Sequence, residues 1–328
     1  MTSPASVGFV HLGGKLPTYA KANLKLVKEK FPNRRIVLIS DEIANNGIKG
    51  VDFFLFDSSS ITEKYRSFSS LDSTFRGGFW IHTMARFAAI ADYMSRVPKR
   101  PLVHFELDVW LADDFPFSVF EALGCDTAYS LPSISEGSAA VIYLRDWIAA
   151  TKLSTIFLDS IREVPESTDM TILRKIYDES LMDVRPLPMN PEQVILGGSD
   201  FGGYFFDPSS WGMFFLGQDP RNARGLQIFH RKEKHHEVNP SHYEVRSDGR
   251  TIQVLKNSNT FFLANLHVHS KDLKFFRRRK QSCRSIKKYL SRKPRSEYVE
   301  FKIKIFIRQL AFKVAKEVKI LLRLFPSD

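Results

Sequence analysis

Short apolar runs alternate with segments of helical periodicity in the first third of the chain. Residues 17–30 and 79–97 carry apolar side chains three and four positions apart, which is the period of an amphipathic helix. The other runs are rich in β-branched and aromatic residues and lie at 7–12, 35–40, 51–56 and 102–111. Strands that alternate with helices are typical of parallel βαβ units. The sequence therefore predicts an α/β fold with a mostly parallel central sheet flanked by helices.

The pattern is looser after residue 111, but it still predicts further elements. We expect strands at 127–131, 139–144 and 263–268, helices at 145–164 and 169–181, and a hairpin at 243–254. The hairpin is predicted to turn at Ser247-Asp248-Gly249, because an Asp-Gly pair tolerates the positive φ angles of a tight turn. In parallel sheets, ligands bind beyond the carboxyl ends of the strands. The polar residues at those ends are therefore the first candidates for a functional site.

The positive charge of the chain is concentrated in its last part. The 328 residues carry 48 Lys+Arg and 36 Asp+Glu, a net charge of +12. Residues 271–328 alone hold 19 basic and 5 acidic groups, a net of +14, which leaves −2 for residues 1–270. A nearly neutral body argues against a core that binds nucleic acid and favours a globular domain with a basic appendage. We place the domain at 1–271 and the basic tail at 272–328.

The second part of this tail, residues 299–325, has the pattern of an amphipathic helix. Apolar residues recur there three and four positions apart, at Ile303, Phe306, Ile307, Leu310, Val314, Val318, Leu321 and Phe325. A helix with one apolar face and a cationic polar face suits an anionic membrane surface. The alternative is a terminal helix that packs on the protein's own core.

The cellular location is predicted from the lack of a leader-like start, of a membrane-spanning run and of a set of cysteines. The start has no basic and apolar leader, and no run approaches the ~18 consecutive apolar residues of a membrane span. The two cysteines, Cys125 and Cys283, are too few for a disulfide scaffold. We therefore expect a cytoplasmic protein that lies peripherally on the inner face of the cytoplasmic membrane.

Two carboxylates lie in the otherwise apolar run HFELDVWL. Glu106 and Asp108 are two positions apart, so on a strand they point to the same face. Buried carboxylates are costly unless they are paired or bind a cation. Where the strand end opens into a loop, both could turn toward Mg²⁺ or Mn²⁺ and its phosphate ligands. The alternative is a pair of acidic residues at an exposed strand end.

The run NLHVHSK near residue 270 contains two histidines with the same alternation. His267 and His269 are predicted to share one strand face, and imidazole is a common metal ligand. Lys271 could bind phosphate as a point charge. The alternative is a surface strand with two solvated histidines. Arg86 lies mid-helix on an apolar face, so we expect it to pair with the carboxylates of the following strand, or else to extend to solvent.

Together these segments resemble the GT-A nucleotide-sugar glycosyltransferases. Residues 83–111 (TMARFAAIADYMSRVPKRPLVHFELDVWL) are similar to the helix and acidic strand end of that family, and NLHVHSK is similar to its C-terminal metal element. The opening (VHLGGKLPTYAKANLKLVKEKFPNRRIVLISDE) resembles a nucleotide-binding βα unit. FDPSSWGMFFLGQDPRNARG, at 206–225, resembles a segment of bacterial polysaccharide glycosyltransferases. The resemblance covers most of residues 7–271 and implies a GT-A, Rossmann-like domain.

The resemblance also implies roles for individual residues. Asp108 would bind a divalent metal, Mn²⁺ or Mg²⁺, together with His267 or His269, of which His267 at the strand end is favoured. The family's first acid is replaced by Glu106, which would contact the ribose or pair with Arg86. Residues expected to contact the nucleotide-sugar donor are His11, Gly13, Asp57, Arg86, Glu106 and Lys271.

The implied reaction is transfer of a sugar from a nucleotide diphosphate to a glycan or lipid-linked acceptor. Asp200 or Asp219 would serve as the catalytic base, with turn or cap positions as the alternative for each. Arg221 and Asn222 would orient the acceptor. Two other functions stay open: a metal-dependent hydrolase that uses the same Asp and His residues, and a protein that binds nucleic acid through the basic tail.

Overall fold

The described strands form three sheets. The structure is a computed structural model, and it describes residues 4–97, 100–197, 201–216 and 240–290. The strands are β1 (Ser6–His11), β2 (Ile36–Ser40), β3 (Asp52–Leu55), β4 (Leu102–Phe105), β5 (Val109–Leu111), β6 (Thr127–Ser130), β7 (Ser138–Leu144), β8 (Val184–Pro186), β9 (Tyr204–Phe205), β10 (Glu244–Ser247), β11 (Ile252–Lys256), β12 (Asn259–Leu263) and β13 (Asn265–His267).

The largest sheet has seven strands in the order β3-β2-β1-β4-β7-β6-β8. Strand β7 runs antiparallel to its neighbours β4 and β6, and the other pairings in this sheet are parallel. The mostly parallel central sheet predicted from the sequence is therefore confirmed. The carboxyl ends of β1, β2, β3 and β4 meet at one edge, where a ligand of such a sheet is expected.

Helices cover both faces of this sheet. The helices are α1 (Thr18–Lys30), α2 (Ser59–Phe68), α3 (Phe79–Arg96), α4 (Phe117–Ala122), α5 (Trp147–Glu163), α6 (Asp169–Asp178), α7 (Pro191–Leu196), α8 (Ser210–Leu216) and α9 (Arg279–Leu290). Strand β2 shows the division, because Val37 and Ile39 pack with α3 and α5 while Leu38 packs with α1 on the other face. This alternation follows from the two-residue period of a strand.

The predicted strand 102–111 is wrong in one respect, because the structure divides it. Strand β4 ends at Phe105, and the chain turns through Glu106 and Asp108, where the amide of Val109 donates to the carbonyl of Glu106 at 3.0 Å. Strand β5 then leaves the central sheet and pairs antiparallel with β13. The two carboxylates thus lie in a turn at the carboxyl edge rather than on one strand face. A turn there avoids placing two acidic side chains inside the sheet.

A second sheet has four strands in the order β10-β11-β12-β9. Its β10–β11 hairpin confirms the predicted Ser247-Asp248-Gly249 turn, with Ser247 paired to Ile252 and Gly249 at φ +88°. The predicted strand 263–268 is interrupted at Ala264, so that its two halves belong to different sheets. Strand β12 ends at Leu263 in the second sheet, and β13 pairs with β5.

The first part of the basic tail packs on the body. Phe275 and Phe276 are buried just before α9, and Ile286 of α9 is fully buried. The guanidinium of Arg279 pairs with Asp113 at 2.8 Å. The amphipathic segment predicted at 299–325 lies outside the described residues. Among those that are described, no helix is long and apolar enough to cross a bilayer.

Candidate metal centre

Three potential metal ligands converge at the carboxyl edge of the central sheet. They are Glu106, Asp108 and His267, and one donor atom of each lies within 4.8 Å of the others. The Nε2 atom of His267 is 3.2 Å from Oδ1 of Asp108 and 3.3 Å from Oε2 of Glu106. The pairing of β13 with β5 sets this geometry, because it places His267 opposite Val109, directly after the acidic turn.

The ring of His267 is held in one orientation. Its Nδ1 lies 2.6 Å from the carbonyl oxygen of Pro208, which can only accept a hydrogen bond, so Nδ1 carries a proton. Nε2 therefore faces the two carboxylates, and in the neutral ring it offers a lone pair. A metal-ligating histidine typically has such a bond on its other nitrogen. Burial alone lowers the pKa of His267, but Asp108 and Glu106 outweigh it and raise the pKa to about 9.

A buried aspartate that we did not predict as functional supports the strand carrying His267. Asp207 accepts hydrogen bonds from the amides of His267 (2.9 Å), Trp211 (2.9 Å) and Gly212 (2.7 Å). The side chain of Asn265 bonds the main chain of Asp207 in turn. The FDPSSWG segment thus joins the first turn of α8 to β13. An Asp just before a helix is a recognisable cap signal, but the third bond to a distant strand is not visible in the sequence.

Gly212 allows α8 to lie directly against this strand. A Cβ atom at Gly212 would lie 1.9 Å from the carbonyl oxygen of His267 and 2.7 Å from its carbonyl carbon. Both are backbone atoms, so the clash cannot be relieved by a side-chain rotation. We expect Gly212→Ala to lower the free energy of unfolding by about 3 kcal/mol, as overpacking does in cores. Urea denaturation would measure the loss, and titration with Mn²⁺ should show weaker binding.

Gly124→Ala is the matched control. Gly124 is exposed and nothing lies within 4 Å of a Cβ atom built there. We expect this control to change stability by less than about 0.5 kcal/mol. A Gly212→Ala protein as stable as the control would contradict the close packing of α8 on β13.

Arg86 joins two acidic side chains beneath the site. Its guanidinium lies 2.6 Å from Glu106, the partner predicted from the sequence, and it also pairs with Asp169. Its Nε donates to the carbonyl of Thr83 at 2.7 Å. Asp169, in the first turn of α6, was not predicted as a site residue because an acid at that position is typical of a helix start. Burial opposes the charge of Arg86, but the two carboxylates keep its pKa above its usual value.

Lys271 and His269 lie beside the cluster. The ammonium of Lys271 is 3.1 Å from Oδ2 of Asp108. Burial alone raises the pKa of Asp108, but His267 and Lys271 hold it well below its usual range. The ring of His269 stacks on that of His267 at 4.0 Å between centroids. The structure thus turns His267, rather than His269, toward both carboxylates.

The predicted nucleotide contacts of the first loop lie at the same edge. His11 ends β1, and burial lowers the pKa of its imidazole. Gly13 follows at φ +85°, and a Cβ atom there would lie 2.4 Å from Nε2 of His82, so the position requires glycine. The amide of Gly13 donates to Asp41 at 3.1 Å.

Asp41 also holds the loop after β3. The hydroxyl of Ser58 donates to Asp41 at 2.7 Å, so the loops after β1, β2 and β3 are connected through one carboxylate. Asp57 is exposed beside them and accepts hydrogen bonds from the amide and hydroxyl of Ser59 at 3.0 and 2.6 Å. The remaining predicted residues, Asp200, Asp219, Arg221 and Asn222, lie outside the described residues.

The donor set of the cluster fits a divalent cation. Two carboxylates and one imidazole suit Mn²⁺, and the carboxylates also suit Mg²⁺. Glu106, Asp108 and Asp169 carry three negative charges, and Arg86 and Lys271 carry two positive ones. A protonated His267, which its pKa of about 9 favours near neutral pH, balances these charges, and loss of that proton leaves one negative charge in excess. Such an arrangement can attract a cation and, through Lys271, a phosphate beside it.

Several solved structures are distantly similar to this chain. No protein-family model and no curated protein matches the chain. The galactosyltransferase LgtC, solved with donor and acceptor sugar analogues, is 14% identical at a TM-score of 0.39, over 60% of this chain and 79% of that one. The glycosyltransferase GlyE from Streptococcus pneumoniae is 16% identical at 0.35, over 62% and 49%. The bifunctional IspDF from Campylobacter jejuni is 10% identical at 0.34, over 58% and 50%. The first two of these structures are glycosyltransferases.

Proposed function

We propose that this chain is a GT-A glycosyltransferase that uses a nucleotide diphosphate sugar as donor. The convergence of Glu106, Asp108 and His267 at the carboxyl edge of the sheet, with Lys271 beside them, carries this proposal. Asp108 and His267 would hold Mn²⁺ or Mg²⁺, with Glu106 as a further ligand or as the partner of Arg86. The cation, when bound, would stabilise the negative charge that develops on the leaving diphosphate.

The residues around this position have complementary tasks. Lys271 would contact the diphosphate as a fixed positive charge, which stabilises the leaving group most as its charge grows. The bond from His267 to Pro208 keeps Nε2 directed at the carboxylates. Arg86 holds Glu106 in place from the buried side. His11, Gly13 and Asp57 would line the nucleotide, because they lie at or just after the ends of β1 and β3 at the same edge.

The finer features are also proposals. The acceptor would be a glycan or lipid-linked sugar in surface polysaccharide synthesis, with Asp200 or Asp219 as base and Arg221 and Asn222 at the acceptor. The alternative, a metal-dependent hydrolase, would use the same cluster on water. The transferase and the hydrolase can be distinguished by measurement, because only a transferase gives turnover that depends on an acceptor.

A donor screen tests the proposal. The full chain would be heated with UDP-, GDP-, CMP- and dTDP-sugars, each with and without Mn²⁺. We expect one nucleotide class to raise the melting temperature with the metal and to have little effect without it, because a bound ligand stabilises the folded state by mass action. Product analysis with that donor would then separate transfer to an acceptor from release of free sugar. The absence of both a shift and turnover would contradict the proposal.

Metal binding should depend on pH through His267. Its pKa of about 9 means that the ring must lose a proton when Nε2 binds a cation near neutral pH. We expect the dissociation constant for Mn²⁺ to rise about tenfold for each unit by which the pH is lowered from about 8 to about 6. Calorimetry in buffers of different ionisation enthalpy would count the proton released. An affinity that does not change with pH would contradict ligation by His267.

Membrane attachment through residues 299–325 is a separate proposal. It rests on the amphipathic pattern and the charge of that segment. Because Phe275, Phe276 and Ile286 are buried in the body, a truncation should end at Leu290 rather than at Asp272. We expect the full chain, but not the truncated one, to sediment with anionic liposomes. Equal sedimentation of both would contradict attachment through this segment.

A further inference from the structure

A basic groove lies between α9 and the β10–β11 turn. It has a volume of about 500 Å³. Its basic lining residues are Arg250, Arg279, Lys280, Arg284 and Lys287, and Glu29 and Asp248 are its acidic ones. We call this the α9 groove. Its lining has three more positive than negative groups, which makes it suited to an anion.

The walls of the α9 groove are fixed by backbone packing. A Cβ atom at Gly249 would lie 2.2 Å from the carbonyl oxygen of Cys283, so the hairpin turn lies directly against α9. On the body side, Phe276 packs against Tyr19 of α1 at 6.0 Å between ring centroids. Ile286 is fully buried and secures the helix farther along. The groove is therefore formed before any ligand arrives.

Among the described residues, one of the five basic groups of the groove forms an ion pair. Arg279 pairs with Asp113 at 2.8 Å, and Asp113 also pairs with Lys30 at 3.1 Å. In the described part of the chain, no ion pair involves the other four. Three of these four lie on one face of α9, at positions i, i+4 and i+7: Lys280, Arg284 and Lys287. Like charges at such spacings repel, and a bound anion would offset that repulsion.

The α9 groove is separate from the candidate metal centre. Strand β5 begins directly after Asp108 and ends at Leu111. Two residues later, the amide of Asp113 donates to the carbonyl of Arg250 at 3.0 Å. The two positions are thus at opposite ends of β5, and Lys271 belongs to the metal end.

We propose that the α9 groove binds a phosphate group. Arginine forks and lysine ammonium groups are the side chains that recognise phosphate most strongly. Arg250 of the hairpin turn and Arg284 of α9 both line the groove, so a phosphate bound between them would be contacted from two sides. The phosphate is that of a soluble phosphoanhydride or of an anionic lipid headgroup. This site is independent of the sugar transfer proposed above.

The first test uses inorganic pyrophosphate on the full chain. Buffer with EDTA prevents pyrophosphate from binding through a metal at the Asp108 cluster. The groove variant is Arg284→Ala/Lys287→Ala, and the matched control is Lys21→Ala/Lys25→Ala, which removes the same charge from exposed positions of α1. We expect calorimetry to show binding by the wild type and the control, and at least about tenfold weaker binding by the groove variant.

The second arm uses vesicles that contain phosphatidylserine, with pure phosphatidylcholine vesicles for comparison. A groove variant that binds the anionic vesicles at least about tenfold more weakly than the control variant identifies a lipid headgroup as the phosphate source. Loss of pyrophosphate binding with unchanged vesicle binding identifies a soluble ligand. If groove and control variants lose binding equally in both arms, or if the wild type binds neither probe, the proposal is overturned.

Discussion

Replacing Asp108 by asparagine is expected to abolish metal-dependent turnover while the protein stays folded. The two oxygens of Asp108 face His267 at 3.2 Å and Lys271 at 3.1 Å. An asparagine keeps the shape but removes the charge, and its amide group would donate a hydrogen bond to Nε2 of His267. The single substitution would therefore remove both the carboxylate of residue 108 and Nε2 of His267 as metal ligands. We expect turnover to fall at least about 10³-fold, because a catalytic cation contributes several kcal/mol to the transition state.

The measurements for this variant separate chemistry from folding. Turnover would be followed with donor, acceptor and Mn²⁺, Mn²⁺ binding by calorimetry, and folding by circular dichroism. Asp178→Asn is the control, because Asp178 pairs with Arg174 on the surface of α6, away from the cluster. A folded Asp108→Asn protein with turnover within about tenfold of wild type would show that the metal site is not where we place it.

The fold was largely predictable because apolar residues recur with different periods in its strands and its helices. The division of the predicted strand 102–111 into β4 and β5 could not be predicted, and the reason can be identified. Val103, Phe105, Val109 and Leu111 all pack in one hydrophobic cluster, with Leu107 partly buried against it. The apolar alternation therefore continues unbroken through the turn. The residue types, rather than the period, indicate the turn, because carboxylates at positions 106 and 108 are unfavourable in a buried strand.

The site was predictable where its residues are close in sequence and less so elsewhere. The period of a strand could not distinguish His267 from His269. The structure separates them because β13 ends at His267, so the chain turns before His269. Asp169 and Asp207 lie 83 and 60 residues from the partners that they bond. Contacts between residues so far apart in the sequence depend on tertiary packing. In the sequence alone, each of these acids is explained as a residue at the start of a helix.

Replacing Arg86 by methionine is expected to cause a large loss of stability. Arg86 is buried and is the cation shared by Glu106 and Asp169. Methionine fills a similar volume but leaves two carboxylates without their counter-charge. Removing one partner of a buried ion pair costs about 3–5 kcal/mol. We expect a loss of that size in the free energy of unfolding at about pH 7, measured by urea denaturation.

The loss should be smaller at lower pH, and this dependence identifies its cause. Burial already raises the pKa of Asp169 above its usual value, although Arg86 opposes this. Without Arg86, the pKa of Asp169 would rise further above that of the unfolded chain. A folded state that binds protons more readily becomes relatively more stable as the pH falls. The difference between wild type and variant should therefore narrow from about pH 7 to about pH 5.

Arg96→Met, on the same helix, is the matched control. Arg96 is 66% exposed and pairs with Asp92 on the surface at 2.9 Å, so its replacement should cost less than about 1 kcal/mol. If Arg86→Met were no more destabilising than Arg96→Met, the ion pairs of Arg86 would contribute nothing to the fold. A large loss independent of pH would instead assign the effect to packing of the methionine. The expected combination, a large loss that acid relieves, arises only if Arg86 balances the carboxylates beneath the candidate metal centre.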